Sequence, residues 1–488
     1  MTDLNPIEPH LFVIHGGSGD LARRKLFPAL YQLLTEEGKK GACHVLGVGR
    51  KDLGDDGFRE IARESFIEAG VPADIAGPWC ADCIHYQQMA DIEKEGPALA
   101  QRIREIEETY SLPGNRVFYL ALPPRAFPGT IRSIGGEGLN HGPGWVRLVV
   151  EKPFGTDLES ARALNRLIHE YFDESQVYRI DHYLGKETVQ NLSVLRFANT
   201  VFESLWKRDR IRSVHVTVSE SIGIEQRADY YESSGAFRDM IQNHLTQLVT
   251  LLAMEPPARF DAESIRNEKV KVLQSIKAIE PEDVVLGQYA AGEMNGERVP
   301  GYLSEEGVAQ DSTTPTFVNL KLAIDNWRWK GVPFFLRTGK RLPRRMTRIV
   351  IEFHRPPISI FGTHNPVETN PNRLIIALQP DEGFHLLFEV KELGDEMRLR
   401  TEGLHFHYHD TFESLPDAYQ TLIADVIQGD QTLFVRADEV EASWALYDPI
   451  TGGDLPIHPY PAGSWGPPAS DELLAKEGTA WMNDYDPD

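Results

Sequence analysis

The stretch LFVIHGGSGDLARRKLFPALYQLL, residues 11–34, decides the fold. Its first five residues are a short apolar run. Glycines follow at 16, 17 and 19, and then a helical pattern, LARRKLFPALYQLL, takes over. Residues 43–49 (CHVLGVG) read as a second strand. The chain thus opens strand–turn–helix–strand, the start of a doubly wound α/β domain. Within the turn, Gly17-Ser18-Gly19-Asp20-Leu21-Ala22 fits G-x-G-x-x-A. The glycines allow a tight turn and close backbone approach, and Ala22 allows close helix–strand contact. A pyrophosphate would rest on the helix N-terminus. Standing alone the motif is weak; between a strand and a helix it points to a dinucleotide. The second strand runs into Gly49-Arg50-Lys51, where an NAD enzyme usually carries an acid. Two cations suit a 2′-phosphate, which favours NADP, and Asp52 leaves room for NAD as a secondary coenzyme.

Working outward, apolar runs recur at 117–122 (VFYLAL) and 146–150 (VRLVV). Each ends in a loop carrying Gly, Pro or charge, as the ligand edge of a parallel sheet requires. In EKPFGTDLE, Thr156 and Glu159 predict a capping box and a helix start. Pro153 restricts Lys152 to extended backbone, which makes Lys152 a candidate for the substrate hydroxyl or the nicotinamide. The plainer reading is a strand-end lysine. A strand over Gln176–Ile180 then leads into RIDHYLGKE, residues 179–187. His182, Tyr183 and Lys186 there could donate hydrogen bonds to a phosphate. Asp181 would repel one and needs another task, such as orienting a histidine. A salt-bridged loop is the alternative.

Beyond residue 190 the pattern changes to β-rich segments with period-two alternation, predicting a large sheet with one covered face and much antiparallel pairing. One long helix, over about 233–254, interrupts it. On an α-helical wheel His244 falls in the apolar stripe of Phe237, Met240, Ile241, Leu248 and Leu251, so periodicity makes it a core histidine. RTGKRLPRRMTR, residues 337–348, holds six basic residues and no acid. Its flanking Pro and Gly predict a loop that could face an anion. His405, His407 and His409 alternate and read as the polar face of a strand, in preference to a metal site. The segment after 450 is expected to be an irregular surface tail. No internal repeat is found.

The formal charge is −23, which argues against nucleic acid and requires any anion site to be locally positive. Neither an N-terminal apolar h-region nor a run of 18 apolar residues is seen, so no membrane span or secretion is expected. Three cysteines suit a reducing cytoplasm. Cys80 and Cys83, with His85 close behind, read as ordinary thiols, since a second pair or a βαβ context is wanting.

GGSGDLARRKLFPALYQL, EKPFG, RIDHYLGKE, RFANTVFESLW, YYESSGAFRDMIQNHL and VPFFLRTGKRL together resemble the glucose-6-phosphate dehydrogenase family, bacterial type, in the same order. The likeness runs from about residue 10 to 460. It implies an N-terminal Rossmann-like α/β domain (1–184) and a larger β+α domain (185–488) with a big mixed, largely antiparallel sheet that faces a subunit partner. It implies oxidation of glucose 6-phosphate at C1 with NADP, in a cytoplasmic homodimer or homotetramer. His244 then matches the general base, against the periodicity, and Asp181 the carboxylate paired with it. His182, Tyr183 and Lys186 match phosphate contacts. Lys152 matches a lysine between sugar and cofactor, Glu220 and Asp239 acids for sugar hydroxyls, and Lys340 and Arg345 further substrate contacts. Gly17, Ser18, Gly19, Asp20 and Leu21 match the cofactor loop, and Arg50 the 2′-phosphate arginine. No metal is implied. One departure is His15, where the family usually has an aromatic or small residue. Two other readings are another sugar dehydrogenase with an EKP-type lysine and a non-catalytic NADP-sensing regulator. The first lacks RIDHYLGKE together with the QNH helix, and the second would not need a base, a carboxylate and a phosphate cluster.

Overall fold

A computed structural model of the chain describes residues 7–36, 42–361, 369–394, 397–412, 415–453, 455–483 and 485. Its contacts divide into two compact units. One comprises residues 1–186, 259–266 and 416–441; the other comprises 187–258, 267–415 and 442–488.

The first unit is built on β1 (His10–His15), β2 (Cys43–Gly49), β3 (Ile84–Gln88), β4 (Arg116–Leu120), β5 (Val146–Glu151) and β6 (Val177–Ile180). All pairings are parallel, in the order β3-β2-β1-β4-β5-β6. This is the Rossmann-like doubly wound sheet, and its order reverses between β1 and β4. β1 and β4 are buried along their whole length, which is why they read as continuous apolar runs. β3 (IHYQQ) is too polar for such a reading; it lies at the sheet edge, where one side needs no apolar cover. The helix Ala418–Gln428 joins this core through Leu422, Ile423 and Val426. Arg147 holds its C-terminus by donating to the Val426 and Ile427 carbonyls at 2.6 and 2.5 Å. Cys43, Cys80 and Cys83 are buried free thiols. Burial pushes the Cys80 thiol up to about 12, so it is inert at neutral pH.

The helix after EKPFG starts one residue later than Thr156/Glu159 predicts. Asp157 is its N-cap and accepts from the Ser160 N–H at 2.7 Å, while the Ser160 hydroxyl takes the Asp157 N–H at 3.1 Å. An aspartate is a stronger cap acceptor than threonine, and Glu159 lies in the first turn, where its charge suits the helix dipole.

The second unit carries β7 (Ile211–Ser219), β8 (Val284–Ala290), a separate ribbon of β9 (Gly292–Met294) and β10 (Glu297–Val299), then β11 (Phe317–Ala323) and β12 (Pro333–Gly339). β13 (Met346–Phe353), β14 (Arg373–Gln379), β15 (Gly383–Lys391), β16 (Leu399–His407) and β17 (Ile457–Pro461) follow. Nine strands form one sheet in the order β16-β15-β14-β13-β7-β12-β11-β8-β17. It is mixed and largely antiparallel; only β7–β12 and β8–β17 are parallel.

Four expectations are corrected here. The central strands β7, β12 and β13 are buried on both faces, and alternation survives toward the outer strands, in β8 and β15. The basic stretch 337–348 is a loop only over 340–345: Arg337–Gly339 end β12 and Met346 begins β13. Arg337 is buried, lies 5.0 and 4.1 Å from the ring centres of Trp465 and Trp481, and donates to Asn483 at 2.7 Å. The tail after 450 is ordered into β17, the helix Pro468–Ala475 and a buried Trp481. Its prolines masked the strand, yet Pro is tolerated on an edge, which is where β17 lies. Finally, the helix predicted over 233–254 is three pieces. Ala228–Ala236 ends at Gly235 (φ 55°, ψ 178°), Phe237–Leu245 winds as a π-helix, and Thr246–Ala253 returns to α geometry. Further helices span Ala262–Ser275, Ala418–Gln428 and Ala437–Thr451. Among the described residues no helix is long and apolar enough to cross a membrane.

Candidate active site

Parallel strands deliver their C-terminal ends to one edge, and every candidate of the first unit leaves the sheet there. Gly16 to Ala22 follow β1, Arg50 and Lys51 follow β2, Lys152 follows β5 and Asp181 follows β6. The glycine turn is tight. The Gly16 and Gly17 N–H groups both donate to the Val48 carbonyl (2.8 and 3.2 Å), and Gly19 N–H donates to the Gly16 carbonyl (2.9 Å). Gly16 needs glycine on two counts: φ is +88°, and a Cβ would lie 2.2 Å from the Ala121 carbonyl oxygen. A Cβ at Gly17 would lie 2.9 Å from Gly47 Cα. Ala22 is fully buried, as helix–strand contact requires. Such a cradle, at the point where strand order reverses, fits a dinucleotide pyrophosphate. Asp20 pairs with Arg24 at 2.8 Å. Arg50 and Lys51 are exposed. His15 ends β1, and burial lowers it to about 4. It therefore sits there as a neutral aromatic ring, 6.4 Å from that of Phe118, where an aromatic or small residue was expected.

In the sheet Glu151 stands opposite Ile180, so Lys152 and Asp181 leave neighbouring strands at the same level. Lys152 precedes a cis Pro153. Asp181 and Tyr183 are buried, His182 and Lys186 half-buried. The Tyr183 N–H donates to Asp181 Oδ1 at 3.0 Å, closing an Asx turn. Lys186 Nζ lies 4.4 Å from the centre of the Tyr183 ring, and the His182 and Tyr183 rings stand edge-on at 5.1 Å. Gly185 serves close approach: a Cβ there would lie 2.6 Å from the Ala418 carbonyl oxygen. The turn is thereby pressed on the helix Ala418–Gln428, and the Tyr419 ring comes to lie nearly parallel to that of His182 (6.4 Å, 9°). Arg179, by contrast, is structural. It is buried and bonded to Glu174 (2.6 Å) and Asn165 (3.0 Å).

In the second unit the parallel pair β7–β12 sets Ser219 opposite Gly339. Glu220 and Lys340, the next residues of each strand, are brought together: Lys340 Nζ donates to Glu220 Oε2 at 2.7 Å. The Lys340 side chain is 1% exposed and its ammonium lies 5.1 Å from the centre of the Tyr231 ring. Arg345 is exposed on the turn before β13 and joins no ion pair among the described residues. The π-helix Phe237–Leu245 packs on β11 and β12 and carries Asp239 and His244, both buried. The Tyr230 hydroxyl donates to Asp239 Oδ1 at 3.0 Å; burial, then the Asp239 charge, pushes the phenol upward and keeps it a donor. Asn243 turns into its own backbone, accepting from the His244 N–H (2.6 Å) and donating to the Arg238 carbonyl (3.0 Å). The wider π turn accommodates this and moves His244 off its α-helical bearing. Short π segments of this kind are frequent at functional sites. His405 and His407 share a face with His385, whose Nδ1 is 2.9 Å from His405 Nδ1; His409 lies beyond the strand end.

Sequence reading missed three partners. Tyr119 was one more residue in an apolar run, Tyr419 lies far along the chain, and Glu151 stood unremarked within EKPFG. A charged residue closing an apolar strand was the available signal.

Two family models match the chain: the NAD-binding domain of glucose-6-phosphate dehydrogenase over residues 13–191, and its C-terminal domain over 193–482. A glucose-6-phosphate 1-dehydrogenase of Aggregatibacter actinomycetemcomitans is 46% identical, with 96% of each chain covered. That of Bacillus subtilis is 44% identical, covering 97% of this chain and 98% of the other. Among solved structures, a glucose-6-phosphate dehydrogenase in complex with its substrate glucose-6-phosphate superimposes with a TM-score of 0.89 at 36% identity, over 98% of this chain and 99% of that one. Fold, glycine cradle and these likenesses define an oxidoreductase that uses a nicotinamide dinucleotide. The chain belongs to the glucose-6-phosphate dehydrogenase family.

Proposed function

We propose that the protein oxidises D-glucose 6-phosphate at C1 to 6-phospho-D-glucono-1,5-lactone, the first step of the oxidative pentose phosphate pathway, with NADP as its principal coenzyme. What carries the reading is the turn Asp181–Lys186 at the ligand edge of the sheet, in a chain so similar to a relative solved with that substrate. Three donors of different reach, His182, Tyr183 and Lys186, suit the three oxygens of a phosphate monoester. Phosphate binding remote from C1 supplies energy that orients the reacting carbon.

Oxidation of C1 removes a proton from its hydroxyl and a hydride from its C–H bond. NADP, when bound, supplies the hydride acceptor at C4 of its nicotinamide. His244 accepts the proton as general base, and the Asp181 carboxylate steadies the imidazolium that forms. Lys152, Glu220, Asp239, Lys340 and Arg345 hold the sugar phosphate, the acids accepting from its hydroxyls. Lys152 also reaches the coenzyme, whose pyrophosphate is held by Gly17 to Leu21. Arg50 pairs with the 2′-phosphate and sets the preference for NADP over NAD. The protein works in the cytoplasm as a homodimer or homotetramer.

The direct test follows absorbance at the reduced-coenzyme band while glucose 6-phosphate, glucose and other hexose phosphates are offered with NADP or NAD. Turnover confined to glucose 6-phosphate supports the reading; equal turnover of unphosphorylated glucose sinks it. Lys186→Ala is expected to raise KM for glucose 6-phosphate by about tenfold or more, the loss of one charge-assisted contact, with a smaller change in kcat. An unchanged KM removes Lys186 from the phosphate. Arg50→Ala is expected to lower the ratio of kcat/KM for NADP to that for NAD by about tenfold. A constant ratio means that Arg50 does not read the 2′-phosphate.

A further inference from the structure

Glu151 is the last residue of β5, directly before Lys152. A partly buried glutamate at the end of an apolar strand needs donors, and three reach it. The Tyr119 hydroxyl, from β4, donates to Oε1 at 2.5 Å. The Tyr419 hydroxyl, from the helix Ala418–Gln428, donates to the same carboxyl, as does the Lys152 backbone N–H. Burial raises the carboxyl's pKa, and these donors together with the Lys152 charge oppose it. Both phenols are themselves pushed upward by burial, so they remain protonated and donate. Asp181 and Asp417 are the other charged groups that bear on Tyr419. One carboxyl thus links β4, β5 and a distant helix, and Tyr419 extends the link to the His182 ring.

We propose that Glu151 is a positioning residue for the reaction: clamped by Tyr119 and Tyr419 and accepting from the Lys152 N–H, it fixes the backbone that carries Lys152 and ties it to His182. The proposal rests on the reading of Lys152 and His182 as substrate contacts. Without that anchor the start of the loop carrying Lys152 is less fixed, and its side chain keeps more rotamers.

Glu151→Gln keeps an acceptor oxygen and removes the charge. It is expected to lower kcat/KM for glucose 6-phosphate about tenfold, the weight of one charged hydrogen-bonded contact. KM for glucose 6-phosphate should rise as part of that loss, which a mere loss of folded enzyme would not cause. Glu151→Asp should return part of that rise in KM. Tyr119→Phe removes only a hydroxyl and should lower kcat/KM about threefold. Circular dichroism and the thermal midpoint report whether each variant is folded. The proposal is overturned if folded Glu151→Gln keeps both kcat/KM and KM within twofold, or, where that variant does not fold, if Tyr119→Phe does so. Lys152→Ala separates the two ideas. If it too is fully active, the reading of Lys152 fails. If it is crippled while Glu151→Gln is not, only the positioning role fails.

Discussion

His244→Asn is expected to lower kcat by about two to four orders of magnitude, the usual weight of a general base, while glucose 6-phosphate still binds with nearly its original affinity. The separation follows from where the histidine sits. Its backbone N–H is satisfied by Asn243, and its place in the π-helix depends on backbone bonds that asparagine can also make. The groups proposed to hold the phosphate lie on another element, the turn Asp181–Lys186. Asparagine is of similar size and polar, yet cannot accept a proton near neutral pH. Steady-state rates together with calorimetric titration of the substrate would check it. A kcat within tenfold of the parent protein shows that another group takes the proton.

The second large effect is expected at Gly16. Alanine there faces two penalties at once: a positive φ that costs an L-residue about 1–2 kcal/mol, and a Cβ placed 2.2 Å from the Ala121 carbonyl oxygen. A backbone oxygen in the middle of a sheet edge cannot swing away, so the turn must shift. Gly16→Ala should therefore lower the thermal midpoint and abolish coenzyme binding by calorimetry. Gly54→Ala is the control. It has φ of +59° but open space around a Cβ, so only the conformational cost applies. Equal behaviour of the two variants would show that close approach is not what Gly16 provides.

Much of the first unit is legible in the chain because its signals are local. An apolar run, a glycine turn and a helical pattern succeed each other within residues 11–34, and the phosphate candidates lie within six residues of one another. The strands buried on both faces announce themselves by composition. Where reading failed, the competing physics can be named. Pro459 and Pro461 hid β17, although an edge strand tolerates them. The basic run at 337–348 read throughout as an anion-facing loop because sequence carries no record of the tryptophans and the tail that cover Arg337. The α-helical wheel placed His244 in a buried stripe, and it is buried; what the wheel missed is that the backbone there is π-wound, and no residue pattern announces that winding.

By itself, then, the sequence determined the parallel, doubly wound start, the cofactor turn, the turn after β6 and the family likeness. All of these rest on neighbours within one or two elements. Only the tertiary structure decided that Lys340 pairs with Glu220, because that contact depends on β12 lying parallel to β7. Only it set Tyr119 and Tyr419 on Glu151, and grouped residues 416–441 with the first unit. Such contacts join residues far apart in the chain. Their partners are chosen by strand register and by burial across a whole core, and neither is written in any short stretch.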